Sequence, residues 1–216
     1  IVRKSVAATN RSWNAAPNWA FTERDVDVKG NEKHTKTWEV VMLYGSPYNK
    51  LIAVDNKPLS PEERAKEEQK FRDEIESRKK ESPSERSKRI SKYQQERNQD
   101  HALMREMADA FEYKLVGEAS IRNRPTYVLD ATPKPGYEPK LRDARVLTGM
   151  KGKMYVDKAT FQWAKVEAEV TKPVSFYGFL AKVEPGTRFV LEQAPVKGSL
   201  WMPVHFVQVV EAKALG

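Results

Sequence analysis

The sequence predicts an α+β protein: a large antiparallel sheet with covering helices and a separate, highly charged helical hairpin. Three observations point there. Several short runs alternate apolar and polar residues with a period of two, which marks strands with one face in a core and the other in water. The connections between those runs are short, and short connections force neighbouring strands to pair antiparallel. Residues 60–99 break the pattern with dense charge and sparse apolar residues. The chain is 39% hydrophobic and 10% aromatic over 216 residues, enough for one substantial core. Its 31% of charged residues and mean hydropathy of -0.72 fit such a core only if the charge is concentrated in one stretch.

The first strands fall between Trp19 and Asp55. Phe21, Val26 and Val28 lead to a Gly30-Asn31 turn. Thr35, Thr37 and Glu39 then alternate with Trp38, Val40 and Met42, so the two runs read as a hairpin. A third strand over 48–54 is closed by Asp55-Asn56-Lys57-Pro58.

Ser60-Pro61-Glu62-Glu63 is a helix start: the Ser oxygen caps a free N–H, Pro suits the first turn, and Glu63 bonds back. Ser82-Pro83-Ser84-Glu85 repeats the signal. It predicts two helices, near 61–80 and 83–99, with a joint near Glu81 and most side chains in water. The first would be about 30 Å long. Ala65, Phe71, Ile75, Ile90 and Tyr93 supply only a narrow apolar stripe. Met104, Met107, Ala108 and Phe111 follow at i, i+3, i+4 and i+7, which predicts a short core-facing helix.

Strands then resume. Tyr113, Leu115, Gly117, Ala119 and Ile121 alternate with polar residues, and Arg122-Asn123-Arg124 turns the chain. Tyr127, Leu129 and Ala131 continue beyond the turn, and 133–139 is a Pro/Gly-rich loop. Met154 and Val156 precede Asp157-Lys158, read as turn chemistry. Val166, Ala168 and Val170 alternate with Glu167 and Glu169. Phe189 and Leu191, then 201–210, complete the set. About eight such strands would form one meander with a single dry face.

Composition also excludes function classes. With no cysteine, there is no disulfide, thiolate metal site or Cys nucleophile. No run approaches the ~20 apolar residues of a membrane-spanning helix. The net charge is +8, but no nucleic-acid-binding motif accompanies it, so nucleic acid is not an expected partner. His34, His101 and His205 stand in separate segments without metal-ligand spacing, and phosphate loops and nucleophile elbows are missing. No catalytic residue, metal or cofactor is expected. The chain opens at Ile1 rather than Met and stops at Leu215-Gly216 after a strand-like run, and both are read as trimmed ends.

Gly152-Lys-Met-Tyr-Val-Asp-Lys followed by Phe161-Gln-Trp-Ala-Lys-Val-Glu-Ala-Glu-Val resembles paired strands of the LolA/LolB-like outer-membrane lipoprotein-sorting proteins. Arg124-Pro-Thr-Tyr-Val-Leu-Asp resembles the strand before them, and Trp201-Met-Pro-Val the opening of a later one. The resemblance covers 113–210, with the first hairpin by analogy. It implies a single domain over 1–216, whose curved sheet forms an incomplete barrel around a cavity for acyl chains, with helices at its mouth. It places the protein in the periplasm or at the outer membrane. The charged hairpin, 60–99, departs from the carriers proper and reads as an insertion, and the chain more closely resembles uncharacterised, longer relatives of the family.

Candidate ligand-binding residues are the apolar stripe Trp38, Val40, Leu115, Leu129, Met154, Val156, Val166 and Leu191. These form either a filled core or the wall of a cavity. Phe176, Tyr177, Phe179 and Leu180 crowd one connection between strands and are read as a lid. Arg78, Lys79, Lys80, Arg86, Lys88, Arg89 and Lys92 cluster at the helical joint, as a solvated surface or as a contact for anionic headgroups or an acidic protein. The expected function is non-catalytic binding of a lipid or a lipoprotein acyl chain. The alternative is an interaction module with a filled core and no ligand, using the charged arm. An elongated cavity favours the first and a filled face the second.

Overall fold

The structure is a computed structural model that describes residues 1–16, 19–176 and 181–210. The described chain is α+β, and it separates into two compact units: residues 1–16 with 98–216, and residues 17–97.

The unit of residues 17–97 carries a four-stranded antiparallel sheet of β1 (Phe21–Lys29), β2 (Glu32–Leu43), β3 (Ser46–Val54) and β4 (Lys57–Pro58), in that order. Asp55 and Asn56 join β3 to β4 at φ 46° and 61°. Positive φ at both positions is the hairpin geometry that Asn and Asp tolerate best. Asp55 Oδ1 accepts the Thr35 N–H at 2.9 Å, which ties this turn to β2. Gly45, in the β2–β3 turn, has φ 92°, a left-handed conformation that favours glycine, and a Cβ there would lie 2.8 Å from Ile90 Cδ1, which would have to shift.

Helix α2 (Pro61–Lys80) starts at the expected capping box, with Ser60 Oγ accepting from Glu63 N and the Glu63 carboxylate accepting from Ser60 N. Its Phe71 meets Tyr48 of β3 with ring centroids 5.3 Å apart. Most of its side chains are exposed, but Arg78 is buried. Arg78 Nη1 donates to Leu43 O, Ser46 O and Ser46 Oγ at 2.6, 3.0 and 3.1 Å, and Nη2 donates to Pro47 O at 3.3 Å. Glu74 accepts from Nε at 2.6 Å. Arg89 adds bonds to Ser46 Oγ, Tyr44 O and Glu81. The basic cluster therefore does not form one solvated surface. Two of its arginines hold the β2–β3 turn, because a guanidinium satisfies several carbonyls at once.

Helix α3 runs without a break from Pro83 to Ala110, so the hairpin's second helix and the core-facing stretch are one helix. After Pro83 it has no Pro or Gly to interrupt it, and Phe111 already belongs to the next strand.

The second unit contains a six-stranded antiparallel sheet of β5 (Phe111–Ile121), β6 (Arg124–Pro133), β7 (Met150–Asp157), β8 (Trp163–Val170), β11 (Arg188–Lys197) and β12 (Leu200–Val209). Its order is β12-β11-β8-β7-β6-β5. The short β9 (Val174–Phe176) and β10 (Ala181–Val183) pair with each other. The strands thus make separate sheets rather than one meander. β4 has only two residues, one of them Pro58, which has no N–H to continue a ladder, and the helices α2 and α3 follow it.

The six-stranded sheet curls without closing. β6 and β12 are four strand spacings apart, about 19 Å across a flat sheet. Yet the Arg124 guanidinium of β6 sits 5.1 Å from the centre of the Trp201 ring on β12. Likewise Arg122, at the β5–β6 tip, meets Glu192 of β11 at 3.0 Å. Both contacts require strong curvature at this end of the sheet. Even so, β5 and β12 each keep a single neighbour among the described strands, so the sheet stays open.

Candidate functional site

Cross-strand register assembles most of the predicted stripe into one row. Leu115 pairs with Leu129, Leu129 with Met154, Met154 with Val166, Val166 with Leu191, and Leu191 with Phe206. Directly opposed residues share a face, so one apolar row crosses all six strands. Val156 and Trp163 pair beside it. Trp38 and Val40 do not belong to the row: they lie on β2 in the other sheet, where Trp38 Nε1 donates to Asp25 Oδ2 at 2.8 Å.

Burial along the row is uneven. Leu129, Met154, Val156 and Trp163 are buried, and Val166 and Leu191 are partly so. At the two ends Leu115 is 53% exposed and Phe206 60%. The middle is covered by Met104 and Met107 of α3 and by Val2 and Val6 of an N-terminal helix, α1 (Val2–Ala15). A second part of the same core joins Phe111, Ala131, Met150 and Val170 to the 3-10 helix Asp143–Gly149.

The apolar periodicity did not reveal α1, because its seated stripe is made of small and mostly polar residues. Ser5, Ala8, Thr9 and Ser12 are buried, at i, i+3, i+4 and i+7. They meet the sheet through side-chain bonds. Trp163 Nε1 donates to Ser5 Oγ at 3.0 Å, and Gln162 Nε2 donates to Ala8 O at 2.8 Å and Ser12 Oγ at 3.0 Å. Trp201 N donates to Ser12 Oγ at 3.1 Å. In the same seat Thr9 Oγ1 and Gln162 Oε1 are buried without a hydrogen-bond partner. On α3, His101 stacks on Trp13 with centroids 5.3 Å apart and bonds Asn10 Oδ1 at 2.6 Å.

A cavity lined by Met107, Phe111, Tyr113, Ala131, Met154 and Val166 holds about 20 Å³, roughly one water's worth of space. Tyr113 is pushed up from the usual phenol range by burial, and its hydroxyl donates to Met107 O at 3.0 Å.

Polar anchors frame the site. Asp157 is buried at the end of β7 and takes both Arg124 Nε, at 2.7 Å, and Nη2, at 3.1 Å. It also accepts Thr160 N and Oγ1 at 2.8 and 2.7 Å, so the expected turn role of Asp157 is its observed geometry. Burial raises its pKa, but the bonds from Arg124 and Thr160 outweigh burial and leave it below the ordinary value. Glu106 of α3 is buried and accepts from Tyr137 Oη, Lys140 N and Leu141 N, which fastens the Pro/Gly-rich loop. On the opposite face Tyr155 donates to Glu167 at 3.0 Å, and burial followed by the Glu167 bond and charge pushes its pKa up to about 12.

Phe176 ends β9, and its side chain, together with Tyr177, Phe179 and Leu180, lies outside the described residues. His34 is on β2, His101 on α3 and His205 on β12. Among the described residues no group of three or more His, Cys, Asp or Glu is placed to hold a metal ion, and no helix is long and apolar enough to cross a membrane. No family model, curated protein or solved structure matches the chain.

Proposed function

We propose that the protein is a LolA-like, non-catalytic binder of a hydrophobic ligand, a lipid or a lipoprotein acyl chain, in the bacterial envelope. The apolar row of the six-stranded sheet is the binding floor and α1 is its removable cover. One observation carries this reading: the mismatch between cover and floor. The floor is Leu129, Met154, Val156 and Trp163; α1 sets Val2 and Val6 against it, but its fully buried residues are Ser5, Ala8, Thr9 and Ser12, and Thr9 Oγ1 and Gln162 Oε1 stay buried without a partner. An apolar floor is better matched by an apolar guest, at ~25 cal/mol for each Å² removed from water. Displacing α1 would uncover a strip about 21 Å long, from its 14 residues at ~1.5 Å each.

The rival reading, an interaction module with a filled core, is favoured by the cavity beside Phe111 and Tyr113, whose space of about 20 Å³ is too small for an acyl chain. The two readings separate in a titration of delipidated protein with a fluorescent fatty acid. Saturable binding, with α1 amides losing hydrogen-exchange protection as the site fills, supports the binder. A flat titration of folded protein leaves the module.

A further inference from the structure

We infer that the polar end of the guest is a carbonyl, carried by an acyl ester or a fatty acid, and that its oxygens take over the hydrogen bonds that α1 now accepts. The inference rests on the reading of α1 as a cover. The polar groups beneath α1 are mostly donors. Trp163 Nε1 donates to Ser5 Oγ at 3.0 Å, and Gln162 Nε2 donates to Ala8 O at 2.8 Å and Ser12 Oγ at 3.0 Å. Trp201 N donates to Ser12 Oγ at 3.1 Å. An indole N–H and a backbone N–H can only donate, and a backbone carbonyl can only accept, so Ala8 O fixes the Gln162 amide nitrogen toward it. Gln162, Trp163 and Trp201 are 3%, 2% and 3% exposed, which keeps these donors out of water while α1 is seated.

The donors gather at one end of the apolar floor. Trp163 opens β8 and Trp201 is second in β12, at the curled end where Arg124 lies 5.1 Å from the Trp201 ring centre. Val166 of the apolar row lies three residues further along β8, about 10 Å away. An amphiphile therefore lies one way round, with its head at the donors and its chain on Met154 and Val166. A hydrocarbon at the head position leaves the three donors unpaired in the bound state, which weakens binding. The two oxygens of an ester or carboxyl group can serve all three, since one oxygen accepts two donors, as Ser12 Oγ does now. Against the three donors stands one unpartnered acceptor, Gln162 Oε1, so a head made only of donors, such as an alkylammonium, matches the seat poorly.

Competition against a bound fluorescent fatty acid tests this on delipidated protein. Methyl laurate and 1-chlorotetradecane are uncharged and similar in length, but only the ester offers acceptor oxygens. The ester binds at least about tenfold more tightly. The cost of moving α1 is common to both probes and cancels from the ratio of their affinities. Trp163→Phe, which keeps a ring but loses the N–H, and Gln162→Leu each cut that ratio at least about threefold. Far-UV circular dichroism confirms that each variant is folded. Laurate also outcompetes the chloroalkane, and whether it or its methyl ester binds more tightly at high salt assigns the carbonyl to a free acid or an ester. Equal binding of methyl laurate and 1-chlorotetradecane by the wild type overturns the inference and leaves the apolar binder standing. A ratio that neither folded variant changes overturns it too. If the fluorescent fatty acid itself does not bind, the binder reading falls and this inference with it.

Discussion

Replacing Ser12 with Ala probes the α1 cover at its most concentrated polar contact. Ser12 Oγ accepts from both Gln162 Nε2 and Trp201 N inside the seat. Gln162 keeps its bond to Ala8 O in the variant, but the Trp201 N–H loses this acceptor while α1 remains seated. An unpaired buried donor costs about 1–3 kcal/mol. At about 2 kcal/mol, borne by the closed state alone, the opening equilibrium shifts roughly 30-fold. When the open state is a minor one, the apparent Kd for a fluorescent fatty acid falls by the same factor. Stability falls too, with Tm dropping about 4–8 °C for a chain of this size. The assay pairs a thermal melt with a titration of delipidated protein. A lower Tm with unchanged or weaker probe binding would show that α1 is ordinary core, and would refute its role as a cover.

Other predictions follow from the anchors. Arg78→Lys lowers stability by about 3 kcal/mol, because one ammonium cannot reach the four oxygens that the guanidinium holds on Leu43, Ser46 and Pro47; a urea midpoint equal to that of wild type would count against the clamp. Glu106→Ala leaves Lys140 N, Leu141 N and Tyr137 Oη without their carboxylate, and speeds hydrogen exchange in residues 134–142 at least about tenfold, while the amides of β7 and β8 stay protected. Asp157 has a folded-state pKa depressed below 3.8, so its stabilising contribution is present above that pH and is lost as pH falls through the folded value. The stability gap between wild type and Arg124→Met, read from urea melts, therefore narrows on acidification below about pH 4. A gap that widens there reverses the sign of the argument.

Local chemistry was the legible part of this fold. The capping boxes at Ser60 and Ser82 and the Asp55-Asn56 and Arg122-Asn123 turns all rest on short-range spacing, and the structure places them as the spacing implies. What escaped the sequence depends on distant partners. Arg78 lies in a dense run of charges that reads as a solvated face, yet it is buried through carbonyls more than 30 positions away. Glu106 is hidden in the same way by a loop that returns to it. α1 left little apolar signature, because beside Val2 and Val6 its buried residues are Ser, Ala and Thr; the signal that would have found it is the recurrence of small residues at helical spacing. The division into two sheets turned on Pro58 and a two-residue strand, a feature too short for periodicity to register.

The most direct test of the central claim is non-denaturing mass spectrometry of the protein purified from its host without delipidation. The account predicts a bound species of lipid or acyl mass at up to one per chain, released on denaturation and regained when the delipidated protein is incubated with phospholipid vesicles. A mass equal to that of the bare polypeptide, both as purified and after incubation with vesicles, would contradict it.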